Sequence, residues 1–235
     1  MILLPKKSIL RALPKSLRFD QHLILNAMRF TIDIIQINYN QLLKDLKNAS
    51  LKKSKNIPRA FNSAWNIIDN TQRLNEIYKK YPQQSELTLF KDIADIKFFR
   101  HSYQHLEDRI NEIIIDKQLP VFGALKWAVN DKGGSFSCLA ISGTFYGKET
   151  TIINPADPMP SELISKITLI TTVRQNKKTT EKEINISDLI KALKDNIKKL
   201  EVGFNVSLKK QNLIPSTDSI MDDLLLVFRQ NKTIA

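Results

Sequence analysis

Histidine is scarce in this 235-residue chain, three in all, yet two of them fall four residues apart behind an arginine, in Phe98-Phe99-Arg100-His101-Ser102-Tyr103-Gln104-His105. Imidazole gains and loses a proton near neutral pH and so serves as a general acid or base. Guanidinium stays charged and grips phosphate or carboxylate oxygens through paired N–H donors. Arg100, His101 and His105 could thus bind an anion and move protons beside it. The rival chemistry is metal binding, with Asp108 one turn beyond the histidines as a third ligand. No His-Glu-x-x-His pattern supports it, and no histidine elsewhere is placed to complete the set, so no metal and no cofactor are expected.

The element that must carry these residues is a helix. Ile96, Phe99, Tyr103, Leu106, Ile110 and Ile113 recur at spacings of three and four, which predicts a helix over about 85–117 with this row in the core. At 100° per residue His101 then points nearly opposite the row, His105 lies on a flank and Arg100 at the row's other edge. That geometry excludes a core histidine pair and leaves two bland alternatives, a solvated helix face or a packing surface between subunits.

Two helices precede it. Leu23, Met28, Ile32, Ile35, Tyr39, Leu42 and Leu46 predict one over about 20–48; Pro58, Phe61, Trp65, Ile68 and Tyr78 predict another, closing before Pro82. After Pro120 the pattern changes to short β-rich runs. Val121–Val129 and Phe136–Ile141 flank the turn chemistry of Asn130-Asp131-Lys132-Gly133-Gly134 and read as a hairpin, with further strands at Thr150–Ile153 and Ile167–Val173. Helical spacing returns after Ser187 through Leu189, Ile190, Leu193, Ile197 and Leu200, and a last short helix is expected over 217–229. The expected fold is therefore mainly α: one domain over 1–235, a bundle of four main helices (about 20–118 and 187–230) with a small antiparallel β insertion at about 121–175.

Arg100, four intervening residues and His105, with a polar residue directly after the arginine, on the third long helix of such a bundle, resemble the Arg-x4-His signature of the HEPN superfamily. The resemblance covers the helices and not the sheet. It implies a metal-independent endoribonuclease, related to toxins or defence systems, that uses the ribose 2′-OH as nucleophile. Arg100 would clamp the phosphate and His105 act as acid and base; His101, standing where the family more often has Asn, would orient the phosphate or share the proton transfer. It also implies a homodimer whose two motifs line one cleft, RNA as partner, and an antitoxin or regulatory protein as a second. The alternative is a non-catalytic dimerisation or protein-interaction module with a degenerate motif.

Composition fits these readings without choosing between them. The 36 Lys and Arg against 24 Asp and Glu leave a formal charge of +12, which favours a polyanionic partner, but only 9 of the 36 are Arg and the chain is rich in Lys, Ile and Asn throughout, so charge alone proves no nucleic-acid function. The single cysteine, Cys138, excludes an intramolecular disulfide and reads as a buried structural thiol. No run is long enough for a membrane span, Pro5-Lys6-Lys7 cuts short any signal-peptide core, and the basic first 19 residues read as a solvated arm, so a cytoplasmic protein is expected. His22 and the aromatic residues Trp65, Tyr78 and Trp127 read as structural. The glycines match no P-loop or dinucleotide fingerprint, and the Lys177-Lys178 and Lys198-Lys199 pairs read as solvated faces.

Overall fold

A computed structural model describes residues 1–51, 56–81, 95–107, 110, 120–131, 134–142, 163–175 and 178–213. Helix α1 (Phe19–Ser50) buries Leu25, Met28, Ile32, Ile35, Tyr39, Leu42 and Leu46 along one side. Leu23, expected in that row, is instead 54% exposed, because it sits two residues from Leu25 and therefore about 200° around the helix. Helix α2 (Ile57–Tyr78) carries Pro58 in its first turn, where a missing N–H costs nothing, and buries Phe61, Ala64, Trp65, Ile68 and Leu74. Asp45 meets Arg59 and Asn38 meets Asn66, so the two helices run antiparallel.

The first residues are not a solvated arm. Leu3, Leu4, Ile9, Leu10, Leu13 and Leu17 are all buried in the same core, and a short 3-10 turn over Ile9–Arg11 directs them inward. Polar contacts fix the segment at both sides: Arg11 pairs with Asp33 of α1, Ser8 hydroxyl donates to Glu201, and the Leu3 N–H donates to Gln36 Oε1 at 2.7 Å. Six buried aliphatic side chains outweigh the basic residues between them, which keep their charges at the surface.

Four strands form one antiparallel sheet in the order β2-β1-β3-β4: β1 (Ala124–Asp131), β2 (Gly134–Ile141), β3 (Leu163–Gln175) and β4 (Lys178–Asn185). The hairpin expected around 130–134 is the β1–β2 connection, with Asp131 opposite Gly134. One face is core: Leu125, Trp127 and Val129 alternate inward on β1, and Ile167, Leu169 and Val173 do so on β3. The sheet extends past the expected boundary near 175, because β4, Lys-Thr-Thr-Glu-Lys-Glu-Ile-Asn, has no apolar alternation to announce it. Such a charged strand suits a sheet edge, where it discourages pairing with other chains. Helix α4 (Ile186–Lys210) follows without a loop. Its N-cap is Asn185, whose side chain accepts from the Asp188 N–H at 3.0 Å; Ser187, expected in that role, accepts from the Ile167 N–H instead. Gly203 lies inside α4 and does not end it. The result is an α+β fold, with four α-helices among the described residues and one sheet placed between the third and fourth of them. The expected strand at Thr150–Ile153 and helix at 217–229 lie outside the described residues. Among the described residues no helix is long and apolar enough to cross a membrane.

Gly123 sets the start of β1. Its φ is +84°, and a Cβ there would lie 2.3 Å from the Ile170 carbonyl oxygen, so only glycine fits. Ser142 closes the same corner by accepting from the Phe122 N–H at 3.1 Å and donating to the Gly123 carbonyl at 2.9 Å. The Trp65 indole N–H reaches in from α2 to the Phe122 carbonyl at 3.2 Å, which couples this corner to the helices.

Candidate active site

Helix α3 (Ile96–Gln104) presents three sides with three different environments. Ile96, Phe99 and Ser102 are buried, 2–3% exposed, and lock the helix in place. Arg100 and Tyr103 turn toward α2, where they meet Asp69 and Trp65. Tyr103 stacks on Trp65 with ring centroids 4.7 Å apart and planes 7° from parallel. Residues 65 and 69 lie one turn apart on α2, and 103 and 100 about one turn apart in the opposite sense on α3, so the helices are antiparallel and the two contacts are neighbouring rungs.

The charged rung is built on Asp69. Its Oδ1 accepts from Arg100 Nε at 2.8 Å and its Oδ2 from Arg73 Nε at 2.6 Å. One carboxylate between two guanidiniums leaves a net positive charge. Both ion pairs run through Nε, so the outer Nη groups are not consumed by the carboxylate. Gln104, with its amide turned so that the oxygen faces the donors, accepts from Nε and Nη2 of Arg100 at 3.2 Å and steadies the plane of that guanidinium.

His101 and His105 occupy the third, exposed side. Their ring centroids are 4.6 Å apart with an interplanar angle of 60°, the contact that i,i+4 residues of a helix make. His105 also marks a break in the helix predicted over 85–117. Its backbone leaves the helical region at φ −117°, ψ 36°, while its N–H still reaches the His101 carbonyl at 3.3 Å. Residues 106, 107 and 110 are helical again, and the remainder of the predicted span, 85–94 and 108–109 and 111–117, lies outside the described residues apart from these. The break explains why the apolar row does not stay buried. Leu106 is half-buried and Ile110 is 41% exposed, since a fixed 100° step no longer applies beyond His105.

Of the three residues singled out by sequence, the fold thus brings His101 and His105 together and sets Arg100 on the adjacent side, held by Asp69. Asp69, Arg73 and Gln104 escaped the sequence reading. Asp69 and Arg73 form an i,i+4 pair on a polar face of α2, a pattern ordinarily read as surface decoration; only the α2–α3 register makes it part of the site. Asp108, the third metal ligand of the rival chemistry, lies outside the described residues, and among those described no group of three or more His, Cys, Asp or Glu is placed to hold a metal ion. Cys138 lies elsewhere, half-buried, its Sγ 3.8 Å from Ser50 Oγ; burial raises its thiol pKa more than the Ser50 contact lowers it. His22 is half-buried, while Trp65, Tyr78 and Trp127 are core, as expected. Comparison of the chain with protein-family models, with curated proteins and with solved structures finds no match.

Proposed function

We propose that the protein is a metal-independent endoribonuclease of HEPN-like type. The observation that carries this reading is the paired imidazoles of His101 and His105, 4.6 Å apart on an exposed face, beside guanidiniums that Asp69 holds with net positive charge to spare. One histidine removes the proton of a ribose 2′-OH. The freed oxygen attacks the adjacent phosphorus, and Arg100, with Arg73 behind it, neutralises charge on the phosphorane oxygens. The bond from phosphorus to the 5′-oxygen then breaks, with that oxygen taking the proton back from the same imidazole, that of His105, while His101 orients the phosphate, and a 2′,3′-cyclic phosphate remains. Asp69 acts through Arg100 as a positioning residue. Pairing of two protomers would double this small set of groups in one cleft, and a regulatory or antitoxin-like partner would restrain it; light scattering at micromolar concentration tests the pairing.

The test is RNA cleavage by the purified chain in EDTA. His105→Ala should lose roughly 100-fold to 10,000-fold in rate, Arg100→Ala a comparable amount, and His101→Asn should be tolerated. DNA should be spared for want of a 2′-OH. A second reading, a non-catalytic interaction module, is favoured by one observation: Arg100 is already engaged by Asp69. Under that reading no variant and no condition gives cleavage.

A further inference from the structure

The stacked rung of the α2–α3 contact opens onto a cavity of about 630 Å³ whose walls include Phe61, Trp65, Tyr103 and Phe122, with Asn62 at α2. This is the size range of small-ligand pockets, and the lining is mostly apolar, with four aromatic side chains among nine residues and few polar groups. Trp65 is 1% exposed and fixed by its indole hydrogen bond to the Phe122 carbonyl, so the wall it forms is rigid. Tyr103 is half-buried and Asn62 exposed, so both remain within reach of an incoming group. The Asn62 amide makes no hydrogen bond to another described side chain.

We propose that this cavity is a nucleobase subsite, the place where a base next to the reacting phosphate is held. The proposal rests on the ribonuclease reading for its setting but on separate residues for its chemistry. Three features select a base over an apolar peptide side chain. Flat rings with a parallel pair already formed offer a stacking surface that any base can extend. A side-chain amide carries the donor and acceptor that a base edge requires. The guanidiniums of Arg100 and Arg73 lie on the adjacent rung, about 5–6 Å along the helices, where the phosphate of the same nucleotide would be drawn and where an apolar partner would gain nothing.

The full-length chain should be titrated with adenosine 5′-monophosphate and with ribose 5-phosphate, which share the sugar and the 5′-phosphate and differ in the base. The nucleotide should bind tighter by roughly 5-fold to 150-fold, the range that one base–aromatic stack supplies. Tyr103→Ala should abolish that preference while Tyr103→Phe retains it. Asn62→Ala, at an exposed position that leaves packing intact, should reduce nucleotide affinity without changing that of ribose 5-phosphate. Arg100→Ala should weaken both ligands by a similar factor. Equal affinity for the two ligands, binding of neither by the folded protein, or a preference unchanged by Tyr103→Ala and Asn62→Ala would each overturn the subsite. RNA cleavage is scored separately: a base preference without cleavage refutes the ribonuclease and leaves the subsite standing, and cleavage without base preference does the reverse.

Discussion

Two regions of this protein use the same chemical device, an aspartate met by arginine, to different ends. In the α1–α2 region Asp45 is 2% exposed and receives both Nε and Nη2 of Arg59, at 2.9 and 2.5 Å, with Gln41 adding a third bond; Asp33 takes both Nη groups of Arg11 and one of Arg29. Arg59 and Arg11 commit their fork to the carboxylate and fasten one segment to another, while Arg29 adds a single bond within α1. At α3 the carboxylate of Asp69 is 15% exposed and the arginines 26% and 53%, each attached by Nε alone. The same residue types that close a structural joint at one place leave donors and charge available at the other. The difference lies in which nitrogen is used, since that decides whether a guanidinium still has an anion-binding edge, and not in exposure, because Asp33 at 26% is wetter than Asp69 at 15%.

The comparison predicts unequal costs of disruption. The largest concerns the N-terminal segment that the Arg11–Asp33 joint secures: Leu10→Ala, at a fully buried position, should lower unfolding free energy by about 3 kcal/mol in denaturant titration. An effect within error of zero would return the first residues to solvent. Asp45→Ala should cost less, about 2 kcal/mol, because the carboxylate is dry but its partner reaches water and can recover hydration. Asp69→Ala should cost less again, about 1 kcal/mol, because its half-buried carboxylate keeps some contact with water, yet should impair RNA cleavage by releasing Arg100 and Arg73 from their positions. A loss of stability at Asp69 equal to that at Asp45, with cleavage unchanged, would erase the distinction between the two regions.

Acid sharpens the same contrast. Burial on its own raises the carboxyl of Asp45, but the hydrogen bonds from Arg59 and Gln41 and the nearby positive charges outweigh it, so the folded value lies below the ordinary 3.8. The unfolded chain therefore binds the proton first. The stability from Asp45 is complete above the ordinary carboxyl value and is lost as pH falls through 3.8 toward the lower folded value. Urea midpoints measured on both sides of that pH should fall less steeply for Asp45→Asn than for wild type; an unchanged slope would mean that Asp45 is no better stabilised as an anion in the fold than out of it.

The periodic helices α1, α2 and α4 were legible because a helix that buries one side must repeat every three or four residues. The N-terminal segment was not, because Leu3, Leu4, Leu10 and Leu13 follow no fixed step and are separated by Pro5 and lysines, so their burial depends on surfaces supplied by α1 and α4. Strand β4 was hidden by its charged edge position. At the candidate site, the scarcity and spacing of His101 and His105 stood out, and so did Arg100 before them. What sequence could not supply was the antiparallel register that sets residue 69 against 100 and 65 against 103, a tertiary fact that turned an ordinary Asp69–Arg73 pair into a support for Arg100 and an ordinary core tryptophan into a cavity wall.

The most direct measurement of the central claim is the identity of the new RNA end. Purified protein incubated in EDTA with an RNA oligonucleotide, and with the same strand carrying a single 2′-deoxy residue at the mapped cut, is analysed by mass spectrometry. A 2′,3′-cyclic phosphate that disappears both with the 2′-deoxy substitution and with His105→Ala is the predicted result. A 3′-hydroxyl product, cleavage across the 2′-deoxy position, or equal cutting by His105→Ala would contradict the assignment of Arg100, His101 and His105 to this chemistry.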